Sequence, residues 1–369
     1  MAPTQDALYA DIDLELSWSE RDLPERERTK HVHRLHPYLG KFIPQLVETL
    51  LARYLTRGGH VLDPFAGSGT TLVQALESGF DATGVDVAAF NCLLMRVKTE
   101  RYNLFVLERE LRDAVARLDS LEVIARPSRY VREWFGPQAA RELLSFRELV
   151  EDYEHRDVLR VILARAARSA RRTTHFDLDF PRVPQVEPYW CHKHKRECRP
   201  VESASPFLRR YTLDTLARIK AFAKLRAKGR EAIALHGDSR DLDYGRTFDG
   251  VVTSPPYPGL IDYHEQHRTA YELLGLDDLR VLELGAAASG TSRAAIAAYC
   301  DGISAVLARA RESLRPGGPV LIVVNDRRDL YPGILDRAGL RLEARLRRHV
   351  NRRTGRRAGE FFEDVLVAR

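Results

Sequence analysis

Two short segments carry residues whose types and spacing could do chemistry. The first is Ser254-Pro255-Pro256-Tyr257, placed directly after the apolar run Phe248 to Thr253. Two successive prolines offer no N–H and restrict the backbone, so the neighbouring carbonyls and side chains project in a fixed direction from the end of a strand. The Ser254 hydroxyl and the Pro255 carbonyl are acceptors. They suit an exocyclic amino group whose lone pair is delocalised into a ring, because two acceptors can take its two protons and turn the lone pair toward an electrophile. Catalysis of that kind rests on positioning, which can supply about 7–11 kcal/mol of a barrier. Tyr257 offers a ring face on which a base can stack. Taken alone, the tetrapeptide is also compatible with a rigid turn.

The second segment runs from Val61 to Thr71 and reads VLDPFAGSGTT. Gly67 and Gly69 let a chain leaving a strand turn sharply and approach a ligand closely. The N–H groups opening the next helix suit a carboxylate, and Asp86, at the end of the following apolar run, can accept hydrogen bonds from a ribose diol. Leu72 stands where a dinucleotide fingerprint has its third glycine, and no Gly-Lys-Ser/Thr follows. A pyrophosphate cofactor and a phosphate loop therefore both lose to a nucleoside-bearing cofactor.

The elements that must position these residues follow from periodicity. An amphipathic helix over Ile43 to Tyr54, a strand ending at Asp63, a helix over Thr70 to Ser78 closed by Gly79, and a strand over Ala82 to Val87 make one β-α-β unit. Strands resume at Glu231 to Leu235, Phe248 to Thr253 and Pro319 to Val324. Alternating strands and helices predict an α/β fold, a doubly wound, mostly parallel Rossmann-like sheet. Leu340 to Arg348 and Phe361 to Val367 read as an antiparallel C-terminal hairpin. The arginine-rich helical pattern between them and the first unit breaks the rhythm, which divides the chain into 1–101, an inserted helical lobe at 102–229, and 230–369.

At this point the residues resemble a known family, the amino-methyltransferases of DNA. The likeness rests on DPFAGSGTT at Asp63 to Thr71 and on SPPY at Ser254 to Tyr257. It implies S-adenosylmethionine as cofactor, with Asp63, Pro64, Phe65, Gly67, Ser68, Gly69, Thr70 and Thr71 around its methionine part and Asp86 at its ribose. The segment His36 to Pro44 is similar to the family's N-terminal motif, implying that Tyr38, Lys41 and Phe42 cover the other side. Gly237-Asp238-Ser239 is implied to meet the cofactor's adenine through Asp238 and Ser239. Ser254, Pro255, Pro256 and Tyr257 become the catalytic set, acting on a base turned out of double-stranded DNA. Serine at position 254 favours cytosine N4, with adenine N6 the alternative. An RNA guanine-N2 methyltransferase shares related motifs but is disfavoured, since no RNA-binding domain fits before Lys30. A helix over Ile261 to Tyr271 is expected beside the pocket, with His264 and His267 supporting it.

The likeness also implies that the inserted lobe reads the target sequence. Arg165, Arg168, Arg171 and Arg172 then fit either phosphate contacts or a solvated face, and the Lys193, Lys195, Arg196 and Arg199 group fits phosphate contacts. Near the C-terminus Arg347, Arg348, Arg352, Arg353, Arg356 and Arg357 crowd one stretch, of which Arg352, Arg353, Arg356 and Arg357 are the candidate DNA contacts. Cys191, His192, His194 and Cys198 include metal-ligating types, but the paired C-x-x-C of a zinc knuckle is missing. No metal is expected; Cys191, His194 and Cys198 are the candidates should one bind, with His175 able to complete a set.

Composition bounds the rest. Fifty-eight lysines and arginines against 52 acids leave a formal charge of +6 on 369 residues, a local basic patch rather than a basic protein. The first residues lack the basic start and apolar run of a secretory signal, and four cysteines in so long a chain make no disulfide framework. A prokaryotic cytoplasm is the expected location, with no membrane partner and a cognate restriction endonuclease as a further partner.

Overall fold

The computed structural model describes residues 12–19, 21–120, 126–172, 184–191, 194–350 and 361–369. The chain divides into two compact units. One comprises Met1–Thr99, Leu225–Tyr263 and Leu279–Arg369; the other comprises Glu100–Lys224 and His264–Asp278.

The strands are β1 (His60–Asp63), β2 (Asp81–Asp86), β3 (Tyr189–Cys191), β4 (Arg196–Cys198), β5 (Ala232–His236), β6 (Gly250–Thr253), β7 (Val320–Val324), β8 (Leu342–Val350) and β9 (Phe361–Ala368). Among the described residues the first unit holds a seven-stranded sheet in the order β5-β2-β1-β6-β7-β9-β8. β5, β2, β1, β6 and β7 run parallel, while β9 lies antiparallel between β7 and β8. The sheet is thus the expected doubly wound form, with its C-terminal hairpin at the edge. Leaving β1 the chain proceeds outward through β2 toward β5; leaving β6 it proceeds the other way. The order reverses between β1 and β6, and in open parallel sheets a crevice opens there beyond the carboxyl ends of the strands.

Both faces of the central sheet are covered, so β6 and β7 are buried along their whole length rather than alternating with exposed polar residues. Successive residues still point to opposite sides. Leu62, Val320, Ile322 and Val324 join one core cluster, with Ile303, Leu307 and Ala310 of helix Arg293–Glu312. Val61, Leu321 and Val323 join the other, with Leu46, Val47, Leu50 and Leu51 of helix Pro44–Tyr54. Proline opens that helix where its missing N–H costs nothing.

The second unit is mainly helical. Its principal helices are Leu104–Ala116, Pro137–Val150, Arg156–Ala170 and Ser205–Leu225, accompanied by the short antiparallel hairpin of β3 and β4. That hairpin lies in a stretch whose sequence shows no strand signal. Arg165 and Arg171 are buried here, at 7% and 6% exposure. Arg165 donates to Asp214 at 2.6 Å and to Thr215 at 2.8 Å. For these two arginines neither sequence reading holds, since burial among helices removes them from phosphates and from water alike.

Candidate active site

The loop after β1 and the loop after β6 leave neighbouring strands, and Asp63 joins them. It is 1% exposed. One of its carboxylate oxygens accepts from the Thr253 hydroxyl at 2.6 Å and from the Phe65 N–H at 3.1 Å; the other accepts from the Thr71 hydroxyl at 2.6 Å. Burial raises its pKa to about 6 in spite of these donors. Asp63 and Thr71 therefore fasten the base of the glycine loop to the end of β6, and neither lines the cleft above.

The cleft encloses about 820 Å³ of empty space, counting its open mouth, and draws every wall from the first unit. It is lined by Tyr38, Lys41 and Phe42; by Pro64, Phe65, Gly67, Ser68 and Thr70; by Asp86; by Asp238 and Ser239; and by Ser254 and Pro256. These residues come from five separated stretches of the sequence. Gly69, Pro255 and Tyr257 are not among the lining residues. Gly69 has φ +80° and forms the N-cap of helix Thr70–Ser78, so its part is to turn the chain.

Gly67 has φ +50°, and a Cβ there would stand 2.7 Å from the Tyr38 hydroxyl oxygen. Its N–H donates to Asp86 at 2.9 Å. Asp86 also accepts from the Ala88 N–H at 2.8 Å and the Asn91 amide at 3.1 Å. Burial raises its pKa to about 6, against those three donors. A carboxylate has about four acceptor sites, so acceptor capacity remains on the oxygen that Gly67 engages. Tyr38 stacks on Tyr263, with ring centres 5.5 Å apart, to close the side facing Gly67.

Two lysines stand nearby, one bonded to the glycine loop and one lining the cleft. Lys98, buried, donates to the Ser68 carbonyl at 2.5 Å, and burial pulls its pKa well down. Lys41 donates to the His33 carbonyl at 2.7 Å; burial, then the nearby Arg34, lowers it to about 8. Ser239 donates to the Pro64 carbonyl at 2.7 Å, which draws the Asp238 turn against the glycine loop. Burial acts to raise the Asp238 pKa, but hydrogen bonds from Arg240 hold it below the usual carboxylate value.

At the acceptor loop, the Ser254 hydroxyl donates to the Val323 carbonyl at 2.9 Å. The Pro256 carbonyl accepts from the Tyr299 hydroxyl at 3.0 Å. Tyr257 donates to Glu363 of β9 at 3.2 Å, and Glu363 in turn faces the buried Arg348 of β8 at 3.6 Å. This tie from the acceptor loop to the hairpin has no sequence signal.

Nor do several walls of the cleft. Leu282, Glu283 and Leu284 line it from an irregular stretch, together with Val87, Ala88 and Val306. His264 and His267 are buried in the second unit and are not lining residues. Arg352, Arg353, Arg356 and Arg357, with His175, His192 and Lys193, lie outside the described residues. Among the described residues no helix is long and apolar enough to cross a membrane.

The donor set fits S-adenosylmethionine. Asp86 would take the ribose, the N-terminus of helix Thr70–Ser78 with Lys41 the carboxylate, and the Asp238 turn the adenine. The glycine at position 67 leaves the close approach that any side chain would fill.

A family model described as DNA methylase matches residues 8–95. The Type II methyltransferase M.MjaII of Methanocaldococcus jannaschii is 34% identical across 93% of this chain and 81% of its own. M.BsoBI of Geobacillus stearothermophilus is 23% identical, with 70% of this chain and 56% of that one covered. M.MvaI of Kocuria varians is 23% identical, with 61% and 53% covered. Among solved structures, the glycopeptide N-methyltransferase MtfA complexed with S-adenosylmethionine covers 99% of this chain and 97% of that one, at a TM-score of 0.32 and 11% identity. With a 34% identity sustained over nearly its whole length, this chain belongs to the S-adenosylmethionine-dependent DNA methyltransferases of the N6/N4 amino class.

Proposed function

We propose that the protein methylates the exocyclic N4 amino group of cytosine in double-stranded DNA, within a restriction-modification system and beside a cognate endonuclease. The observation that carries the reading is the state of Ser254. Its one hydroxyl proton is committed to the Val323 carbonyl, so on the cleft side the oxygen offers only lone pairs. An acceptor is what an amino group needs there, and the Pro255 carbonyl is the second. Together they hold both amino protons and keep the nitrogen lone pair out of conjugation. Serine rather than aspartate at position 254 is the feature that favours cytosine N4 over adenine N6.

When bound, S-adenosylmethionine supplies a methyl group on a positively charged sulfur. Everything else falls to the chain. Lys41 and the helix opening at Thr70 hold the carboxylate end; Asp86 and Asp238 hold the nucleoside. The stacked Tyr38 and Tyr263 keep water from one side. Tyr257, fixed through Glu363, presents its ring to the extruded base, whose removal from the duplex costs a few kcal/mol. The Type II names of the relatives support the restriction-modification setting.

The test is methyl transfer from labelled cofactor to duplex DNA of mixed sequence, followed by digestion to nucleosides. N4-methyldeoxycytidine is the expected product, and Ser254→Ala is expected to lose about 100-fold in kcat, the scale of one lost transition-state hydrogen bond. N6-methyldeoxyadenosine would transfer the reading to adenine, and label entering tRNA instead of DNA would remove it.

A further inference from the structure

The hairpin of β3 and β4 presents a problem of stability. Each strand has three residues, and Trp190, the middle residue of β3, is 59% exposed. An isolated two-stranded hairpin is at best marginally stable in water. Small elements of this kind are commonly held by a crosslink or a metal. The donors for one are in place.

Tyr189 pairs with Cys198, and Cys191 pairs with Arg196. Residues two apart on a strand share a face, so Cys191 lies on the same face as Tyr189 and therefore as Cys198. The turn between the strands carries His194, followed by Lys195 in the left-handed region at φ +50°. This turn brings the imidazole over that face, with its Nδ1 3.3 Å from the Cys198 sulfur. The ligand atoms of Cys191, His194 and Cys198 all lie within 4.8 Å of one another. In a tetrahedral zinc site, bond lengths of about 2.3 Å to sulfur and 2.0–2.1 Å to nitrogen place neighbouring donors roughly 3.6–3.8 Å apart. Closing the cluster onto an ion requires shifts of an ångström or less.

The donor chemistry selects the metal. Two thiolates and an imidazole are soft to borderline ligands, which suit zinc and not magnesium or calcium. A contrasting group occurs at His31, His33 and Glu77, whose donors also converge. There Lys30 donates to Glu77 at 2.7 Å and already supplies the positive charge.

We propose that Cys191, His194 and Cys198 bind one zinc ion that staples the hairpin. The pattern is C-x-x-H-x-x-x-C, and the ion takes no part in methyl transfer. The zinc site does not depend on which base is methylated.

The full chain, produced in zinc-supplemented medium and dialysed against metal-free buffer, is assayed for metal by plasma mass spectrometry. About one zinc per chain is expected, falling to below about a tenth in Cys191→Ser and Cys198→Ser. A mercurial thiol reagent added to the wild-type protein releases the same amount, which keeps the test independent of how the variants fold. Replacement by cobalt is expected to give intense thiolate-to-metal absorption. A metal-free wild-type protein, zinc retained by Cys198→Ser, or a thiol titration showing Cys191 and Cys198 joined as a disulfide would each overturn the assignment.

Discussion

At the scale of single residues, the two carboxylates beneath and beside the glycine loop share a history of burial but differ in use. Asp63 and Asp86 are both raised to about 6 from an ordinary value of 3.8, with burial the largest cause in each. The folded chain therefore holds these protons more tightly than the unfolded one. Their joint contribution favours the fold below about pH 4 and is lost as pH rises through about 6. Cofactor binding has the opposite sign, because a ribose hydroxyl donates to an ionised Asp86 and loses an acceptor when that carboxyl is protonated. Affinity for S-adenosylmethionine is expected to hold steady above pH 7 and to fall as pH drops through about 6, approaching tenfold per unit. Titration calorimetry between pH 5 and pH 8 measures it. In Asp86→Asn the affinity is lower at pH 8 and the dependence flattens; a slope that persisted in this variant would place the titrating group elsewhere.

At the scale of elements, the sheet was legible because its central strands β1, β6 and β7 are short apolar runs, buried on both faces, and two of them end at loops with unmistakable chemistry. Val61 and Leu62 enter opposite core clusters, and the residues that follow them turn at glycines. The same alternation of strands and helices put both loops on one sheet, whereas the pairing of β1 with β6 comes from the structure. Other parts left no local trace. The Leu282–Leu284 wall has no period of either kind, since packing and not propensity holds it. His264–Asp278 groups with the second unit although the chain around it belongs to the first. Clusters of arginine read as solvent-facing until burial is known, and Arg165 shows why, with its charge satisfied by Asp214 from a distant helix. The glycine loop also supports a sharper comparison. Gly67 and Gly229 both have positive φ, at +50° and +75°. An alanine costs about 1–2 kcal/mol of stability at either place through the backbone alone. Only at Gly67 would the new methyl meet the Tyr38 hydroxyl oxygen, at 2.7 Å, whereas nothing lies within 4 Å at Gly229. Gly67→Ala is expected to lose cofactor binding at least tenfold more than Gly229→Ala and to melt lower than it, because Tyr38 must shift, as read by calorimetry and thermal denaturation side by side.

At the scale of the whole molecule, the attraction to DNA must be local, because 58 basic residues are set against 52 acidic ones. Many described arginines are already engaged. Arg345 donates to Asp364 at 2.7 Å, Arg160 to Glu151 at 2.5 Å and Arg230 to Asp81 at 3.1 Å. The ladder between β8 and β9 ends at Val350 and Phe361, and the ten residues joining them carry Arg352, Arg353, Arg356 and Arg357 against the single acid Glu360. That short connection holds three of the chain's six excess positive charges. If these arginines meet phosphates, replacing all four with alanine reduces the slope of log affinity against log salt by about 0.9 for every phosphate that is no longer neutralised. The weakening should be of similar size for DNA of any sequence, since arginines on phosphates position the duplex without reading its bases. Cofactor affinity should stay within about twofold of wild type, because the cleft draws its walls from other residues. Fluorescence anisotropy with labelled duplexes at several salt concentrations gives the DNA readings, and titration calorimetry the cofactor one. An unchanged salt slope would mean that the phosphates are held by another part of the chain.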